Sequence, residues 1–366
     1  MEFDMKRWQD RRILDLFGIE LPIVQAPMAG ATSVEMVVAT ARAGGLGSLP
    51  SAQFSVDQLR DALKEIRAST HAPVNVNFFA HTTPAADPVA QMRWRAILAH
   101  YYVEADLDPA SAVAGAGRTP FDASFCDVVE EFSPEVVSFH FGLPESTLVR
   151  RVKATGAKLI SSATTVAEAV WLEDNGVDAV IAMGFEAGGH RGNFLSHDMS
   201  TQVGTMALVP QVVDAIKVPV IAAGGISDGR GVAAALMLGA SAVQIGTAYL
   251  FCPEARIPPV HSEALASARD DNTAITNVFT GRPARGIVNR LMRDIGPISD
   301  AAPSFPTAGA ALAPIRSKAE GEGNNDFTNL WSGQAARLGR QLPAEELTRA
   351  LYDEAMSVIA RRSGAG

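Results

Sequence analysis

The chain has 366 residues, of which 47% are hydrophobic and 19% are charged, and its formal net charge is −9. Such a composition is typical of a globular protein with a large core and excludes a disordered chain. The diffuse negative charge argues against partners that are themselves anionic, so we expect the protein to bind neither nucleic acid nor a membrane surface.

The N-terminus and the cysteines indicate the compartment. Residues 1–13 contain no apolar segment of the kind that a signal peptide has, and no apolar run approaches the roughly 18 residues of a membrane-spanning helix. Cys126 and Cys252 are far apart and lack metal-type spacing, which fits a reducing environment. We therefore expect a cytoplasmic protein.

Eight short apolar runs predict strands, and amphipathic stretches between most of them predict helices. The predicted strands are 22–28, 45–50, 74–79, 136–142, 158–163, 179–184, 220–225 and 242–247. The predicted helices are 34–43, 56–68, 147–155, 166–175, 206–216 and 231–238. Because nearly continuous apolar strands are buried on both faces, the sheet is expected to be parallel. Eight such units in about 250 residues predict an α/β fold, a TIM (β/α)8 barrel, with an open doubly wound sheet as the alternative.

The alternation is interrupted once, and the chain continues beyond the eighth unit. Residues 80–135 are too long for one crossover helix and predict an insertion after the third strand, with an extra helix and a loop, AGAGRTPF, over the mouth of the barrel. After the barrel, two last helices are predicted near 329–341 and 343–362. We therefore divide the chain into a barrel of residues 1–275 and a C-terminal loop and helical appendage, residues 276–366, packed on it.

Glycines mark the ends of the seventh and eighth strands, in GGI and IGT. The active site of such a barrel lies at the C-terminal ends of the strands, and glycine turns there offer backbone N–H groups to a phosphate. Gly224, Gly225, Gly246 and Thr247 are therefore the predicted phosphate ligands. The alternative is that these glycines serve only to make tight turns.

A histidine follows two glycines after the sixth strand, in AMGFEAGGHRGNF. Gly188 and Gly189 carry no side chain, so a flat cofactor could lie against the backbone while His190 projects toward it. His190 is the candidate catalytic residue, and His140, between two phenylalanines at the end of the fourth strand, either lines the site or lies in the core. Since the sequence has no HExxH, CxxC or clustered His and Asp residues, we predict no metal site.

Six motifs, in this order, resemble the nitronate monooxygenases, formerly called 2-nitropropane dioxygenases: PIVQAPMAG, VNVNFF, SFHFG, GFEAGGHRG, AAGGISDGRG and QIGTAYL. The pair SFHFG and AGGHRG resembles class I of that family. The resemblance covers about residues 15–285, with a weaker match in FTNLWSGQAARL. It implies an FMN-dependent barrel enzyme that oxidises alkyl nitronates with O2 to a carbonyl compound and nitrite.

The resemblance also implies roles for individual residues. His190 resembles the active-site histidine of the family and His140 its second histidine. The resemblance and the positions of the strand ends together give a set of candidate FMN-binding residues. These are Ala26, Pro27, Met28, Asn77, Met183, Gly188, Gly189, Gly224, Gly225, Gln244, Ile245, Gly246 and Thr247.

The sequence departs from the family pattern in two places. Met183 stands where glutamine is common. Phe305 stands where tyrosine is common after the barrel, and no lysine follows it before Lys318. We therefore expect a pocket that is more apolar and less cationic than in the best-known members, open to a larger or more apolar substrate than a small nitronate.

Several interpretations stay open at this point. Barrels of this kind include reductases that take a hydride from a nicotinamide, so an NAD(P)H-dependent reductase of a quinone or an enoyl thioester is the first alternative. A flavin-free aldolase or isomerase and a non-catalytic binding protein are the others. His190 could act as an imidazolium that hydrogen-bonds the nitro oxygens or as a neutral base. The expected partners are a small-molecule substrate and O2, with a homodimer as the candidate assembly.

Overall fold

The computed structural model describes residues 8–110 and 118–362. The N-terminal segment and the predicted loop AGAGRTPF therefore lie partly outside the described residues. No helix in the described ranges is both long and apolar enough to span a bilayer.

Eleven strands are formed in the described part of the chain. They are β1 (Ile23–Gln25), β2 (Gly47–Pro50), β3 (Val74–Phe79), β4 (Val136–His140), β5 (Lys158–Ala163), β6 (Ala179–Met183), β7 (Gly189–His190), β8 (Val220–Ala223), β9 (Ala242–Ile245), β10 (Thr273–Thr276) and β11 (Ala284–Ile287). Eight of them form one parallel sheet in the order β1-β9-β8-β6-β5-β4-β3-β2, and a parallel bridge from Val24 to Leu46 joins its two edges. This is the predicted (β/α)8 barrel, and all eight predicted strands are confirmed.

Thirteen α-helices are formed within the described ranges. They are α1 (Arg12–Phe17), α2 (Val34–Arg42), α3 (Val56–Ser69), α4 (Pro88–Glu104), α5 (Ala123–Phe132), α6 (Ser146–Ala154), α7 (Val166–Asp174), α8 (Thr205–Ala215), α9 (Gly229–Met237), α10 (Pro259–Ala266), α11 (Arg290–Ile295), α12 (Ala313–Gly321) and α13 (Ala344–Arg362). Side chains cap many of them: Ser55 and Gln58, for example, form a reciprocal capping box at the start of α3.

The two ends of the barrel differ. At the N-terminal end, Ile13, Leu14 and Phe17 of α1 pack against inward side chains of the strands, such as Val136 and Ala242, and share one apolar cluster with them. That end is closed by apolar contacts, so the C-terminal ends of the strands are the end that is free to form a site.

The last helix has a different role from the one predicted. α13 packs against α9 and α2, and so occupies the place of the eighth barrel helix rather than of an appended one. The helix predicted near 329–341 is wrong, because only a short 3₁₀ helix, Ala336–Leu338, forms there. The backbone N–H groups of Gly333 and Gln334 donate instead to Oγ1 of Thr247 and the carbonyl oxygen of Glu186, so this stretch binds the barrel loops rather than forming a helix.

The insertion and the appendage share one core. The indole of Trp94 in α4 donates to the carbonyl oxygen of Ala308 over 3.1 Å, and the hydroxyl of Tyr102 donates to that of Ala311 over 2.7 Å. In addition, β10 pairs antiparallel with β11, and β11 pairs antiparallel with β7, the short strand that contains His190. Segments outside the barrel therefore contribute to the surroundings of this histidine.

Candidate active site

A cavity of about 420 Å³ lies at the C-terminal ends of the barrel strands. Nearly all of the predicted site residues line it: Ala26, Pro27, Met28, Asn77, His140, Met183, Gly188, Gly189, His190, Gly224, Gly225, Gln244, Gly246 and Thr247. Ile245 does not, because side chains alternate along a strand and that of Ile245, 1% exposed, packs in the apolar core instead.

One end of the cavity is formed by Gly224, Gly225, Gly246 and Thr247, which we call the cradle. Gly224 and Gly225 have φ angles of +113° and +69°, a backbone conformation that favours glycine. Their N–H groups and that of Gly246 donate to no group in the described part of the chain, so they are available to an anion. The cradle therefore has the donors that a phosphate requires.

The lining of the cavity contains an unsatisfied acceptor. Oε1 of Gln244 is buried and has no hydrogen-bond partner among the described residues. Gln244 lines the cavity beside Gly246, where a Cβ would lie 3.5 Å from Sδ of Met28. Because a buried polar atom without a partner costs free energy, this position calls for a ligand that donates a hydrogen bond.

Arg191 fixes the loop that leads to His190. Its guanidinium is fully buried and donates to the carbonyl oxygens of Gly184 (2.7 Å) and Met183 (2.9 Å) and to Oε1 of Gln202 (3.0 Å). These bonds satisfy carbonyl groups at the end of β6 and turn the chain across the mouth of the barrel. The residue next to the histidine thus determines where the loop lies.

The glycines of this loop are required by close contacts with protein. A Cβ on Gly188 would lie 2.5 Å from the backbone nitrogen of Gly333, and one on Gly192 would lie 3.0 Å from Cε1 of His140. Gly189 has a φ of +70° and open space around it. The loop is therefore compressed between the appendage and the barrel, while its open side faces the cavity.

His190 and His140 are joined through the backbone. Nε2 of His140 lies 3.1 Å from the carbonyl oxygen of His190, and its Nδ1 lies 2.6 Å from Oγ of Ser162. Since a carbonyl oxygen only accepts, the Nε2 of His140 carries the proton and Ser162 donates to Nδ1. His140 therefore holds the main chain of His190 in place, while Nε2 of His190 contacts Oγ1 of Thr280 at 2.9 Å.

Both rings are neutral at neutral pH. Burial lowers the pKa of His140 to about 3. Burial, followed by the positive charge of Arg118, lowers the pKa of His190 well below its usual value of about 6.5. The imidazolium form that the sequence left open is thus disfavoured in the free protein.

Aromatic rings surround His190. Its ring centroid lies 5.3 Å from that of Phe305, 6.1 Å from Phe141 and 6.2 Å from Phe79, and Trp331 lies 5.4 Å away on the appendage side. The expected apolar wall is therefore present. The expectation of low positive charge is not met, because the guanidinium of Arg118 lies 5.7 Å from the centre of the Phe305 ring and lines the cavity.

Four contributors were missed by the sequence reasoning. Arg191 could have been singled out, since it is the arginine of the motif GFEAGGHRG. Trp331 and Gly333 lie in FTNLWSGQAARL, the weaker match, and both line the cavity. Arg118 follows the glycine-rich AGAG, and no local pattern distinguished it. No group of three or more His, Cys, Asp or Glu residues suited to a metal ion occurs in 8–110 or 118–362.

The closed parallel barrel, its cradle and the histidine loop define the class, a flavin-dependent oxidoreductase of the (β/α)8-barrel type. The sequence pattern of the nitronate monooxygenases matches residues 10–354, so the chain belongs to the nitronate monooxygenase family. It is 40% identical over 345 residues to the nitronate monooxygenase of Pseudomonas aeruginosa, a match that covers 94% of this chain and 98% of that relative.

Solved structures agree with this assignment. The structure of nitroalkane oxidase from Streptomyces ansochromogenes superimposes with a TM-score of 0.86 at 36% identity and covers 96% of this chain and 99% of its own. That of FabK from Thermotoga maritima superimposes with a TM-score of 0.72 at 30% identity and covers 96% of this chain and 98% of its own.

Proposed function

We propose that the protein oxidises alkyl nitronates with O2 on a bound FMN, releasing a carbonyl compound and nitrite. The observation that carries the proposal is that one cavity is lined by the cradle, by His190 and by Gln244, whose buried Oε1 has no partner among the described residues. Membership of the nitronate monooxygenase family supports the same reaction.

The residues present fit FMN. The free N–H groups of Gly224, Gly225 and Gly246 suit one phosphate, and Oε1 of Gln244 would accept a hydrogen bond from a ring N–H. Met28 and Gly188 would lie along the ring system. When bound, FMN would take electrons from the nitronate and pass them to O2, a chemistry that protein side chains do not supply.

The protein's own contribution is to exclude water and to arrange charge. Phe79, Phe141 and Phe305 form an apolar wall around His190, where electrostatic interactions are stronger than in water. His190 is neutral before the substrate enters, and an anion beside it would raise the pKa of its ring, so proton uptake is coupled to nitronate binding.

The same low pKa favours one form of the substrate. A ring that binds a proton weakly is a poor base toward the α-carbon of a neutral nitroalkane. We therefore propose that the preformed nitronate is the substrate, and that kcat/KM for a nitronate exceeds that for its neutral nitroalkane at least tenfold. Stopped-flow assays that start from either form, before the two equilibrate, measure this ratio.

Two measurements test the proposal as a whole. Mass spectrometry of the released chromophore should find FMN, and FAD or no chromophore after reconstitution would contradict it. Under anaerobic conditions a nitronate should bleach the bound flavin. Bleaching by NAD(P)H but not by a nitronate would instead identify a nicotinamide-dependent reductase.

We also propose that the enzyme works in the cytoplasm on a small-molecule substrate and O2. Cys126 and Cys252 are both buried free thiols, which supports a reducing compartment. A homodimer stays a prediction, and sedimentation of the purified holoenzyme would measure it.

A further inference from the structure

Three arginines line the cavity, and they differ in whether their guanidinium groups have partners. Arg256 lies 3.1 Å from Glu35, and Arg316 donates to Oδ1 of Asn329 over 3.1 Å. Arg118 also lines the cavity, but its guanidinium makes no hydrogen bond or ion pair with any residue in 8–110 or 118–362. The preceding segment, 111–117, has the sequence SAVAGAG and so contains no carboxylate.

The surroundings of Arg118 do not offset its charge. Burial, followed by the charge of Arg316, lowers the pKa of Arg118 to about 10, which leaves it a cation at neutral pH. Its guanidinium lies over the face of the Phe305 ring, with 5.7 Å between the guanidinium carbon and the ring centre. Arg118 is half-buried, and a partly desolvated cation without a protein acceptor costs free energy, so this position favours an anionic ligand that provides the acceptor.

Arg118 and His190 act on the same part of the cavity. Phe305 contacts both of them, with its ring centroid 5.3 Å from that of His190 and 5.7 Å from the guanidinium carbon of Arg118. After burial, the charge of Arg118 is the largest influence on the pKa of His190. Arg282 also lies near this histidine, but it is not among the residues that line the cavity: it donates to the carbonyl oxygen of Asn193 and stacks on Phe141 at 3.9 Å.

We propose that Arg118 binds the negatively charged nitronate group and thereby selects the anion over the neutral nitroalkane, an inference that rests on the proposed function. A planar guanidinium presents parallel N–H donors that match two oxygens on one atom, the arrangement of a nitronate. The insertion thus supplies an unpaired cation to a pocket in which Phe305 stands where tyrosine is common and Arg316 of the appendage is already paired.

The test uses the holoenzyme and two substitutions. Arg118→Gln removes the charge but keeps hydrogen-bonding capacity, and we expect KM for a small nitronate such as propyl-2-nitronate to rise roughly 10- to 100-fold, as when a charge-assisted hydrogen bond is lost. The KM for the neutral nitroalkane and the flavin content should not change. Arg118→Lys should recover part of the loss, because it restores the charge without the planar fork.

A second readout does not depend on turnover. Nitrate is a planar oxyanion that cannot be oxidised further, and its Kd can be measured from the change in flavin absorbance. We expect Arg118→Gln to weaken nitrate binding at least tenfold, and Arg93→Gln, at an exposed arginine of the same insertion, to leave it unchanged. The Arg93 variant controls for the change in net charge.

The outcomes separate the two proposals. Arg118→Gln with nitrate and nitronate constants within twofold of the wild type, or a wild-type enzyme that does not bind nitrate, overturns the role of Arg118. A wild-type enzyme that binds nitrate through Arg118 but does not turn over nitronates overturns the proposed function and leaves the anion site standing.

Discussion

The two ends of the cavity are built in different ways. The cradle consists of Gly224, Gly225, Gly246 and Thr247, from two neighbouring strand ends, and it offers backbone N–H groups. The histidine end, which we define as His190, His140, Phe79, Phe141, Phe305 and Arg118, consists of side chains from β3, β4, β7, the insertion and the appendage. The cradle is formed by residues that are close in sequence or on adjacent strands, and it uses backbone dipoles. The histidine end brings together residues that are far apart in sequence, and it uses aromatic rings and charge.

This difference assigns a separate task to each end. Backbone donors on a rigid sheet are fixed before a ligand arrives, which suits a cofactor that stays bound. A wall of rings around a neutral histidine and an unpaired arginine suits a substrate that changes charge as it reacts. Substitutions at the cradle should therefore affect cofactor retention, and those at the histidine end should affect turnover.

The largest expected effect is at the cradle. Gly225→Asp should abolish FMN binding, because a carboxylate would meet the phosphate at close range, where poorly solvated like charges repel by several kcal/mol. Flavin content per chain after purification and after reconstitution, measured by absorbance, is the readout. Because the turnover of this variant depends on FMN, it should be lost as well.

Two controls separate charge from shape. Gly225 has a φ of +69° and a Cβ there would lie 3.3 Å from Cβ of Glu186, so any side chain causes some strain. Gly225→Asn imposes the same strain without the charge and should retain more flavin than Gly225→Asp. Ser262→Asp, on the exposed side of α10, should retain all of it. Equal retention in all three variants would mean that the cradle does not hold the phosphate.

The next effect is at the histidine end. His190→Asn should keep the fold and the FMN but lower turnover on a nitronate by about 100-fold or more, because asparagine can hydrogen-bond but cannot exchange a proton near neutral pH. Because a neutral nitroalkane reacts through its nitronate, a role of His190 in stabilising that anion predicts that turnover on the nitroalkane falls as well. Steady-state kinetics with both substrate forms, at matched flavin content, give the result.

Other results would change the assignment of His190. Wild-type rates with both forms would mean that the histidine is only part of the scaffold. Loss of activity on the nitroalkane alone would identify His190 as the base that removes the α-proton, and the inference from its low pKa would then be wrong.

How far the sequence predicted each end follows from this contrast. The barrel strands and the cradle were predictable, because apolar runs and glycine turns are local patterns. Strand alternation places the side chain of Ile245 in the core. The prediction missed this because it treated residues 244–247 as one continuous cofactor-binding run. Arg118 was not predictable, since it lies outside any regular element and its ring contact, Phe305, is far along the chain. The same holds for α13, which closes the ring of helices far along the chain from β9.

The smallest expected effect concerns pH and comes from His140. A buried neutral histidine stabilises the fold above its unfolded pKa of about 6.5, and this contribution is lost as the pH falls from there toward the folded value, here about 3. Stability should therefore decline below about pH 6.5, because the unfolded chain takes up a proton that the folded chain excludes. At pH 5 this amounts to roughly 2 kcal/mol for one such group.

His140→Asn should remove that contribution from the pH dependence while lowering turnover less than His190→Asn does. Asparagine can still donate to the carbonyl oxygen of His190, but it has no ring to protonate. Urea unfolding of the FMN-saturated protein at pH 7 and pH 5 measures the decline, which should be about 2 kcal/mol smaller in His140→Asn than in the wild type. His71→Asn, at an exposed histidine, should keep the wild-type decline. If His140→Asn also keeps the wild-type decline, the ring of His140 gains a proton as easily in the folded protein as in the unfolded chain. Burial would then not maintain the neutral form on which the bond of His140 to His190 depends.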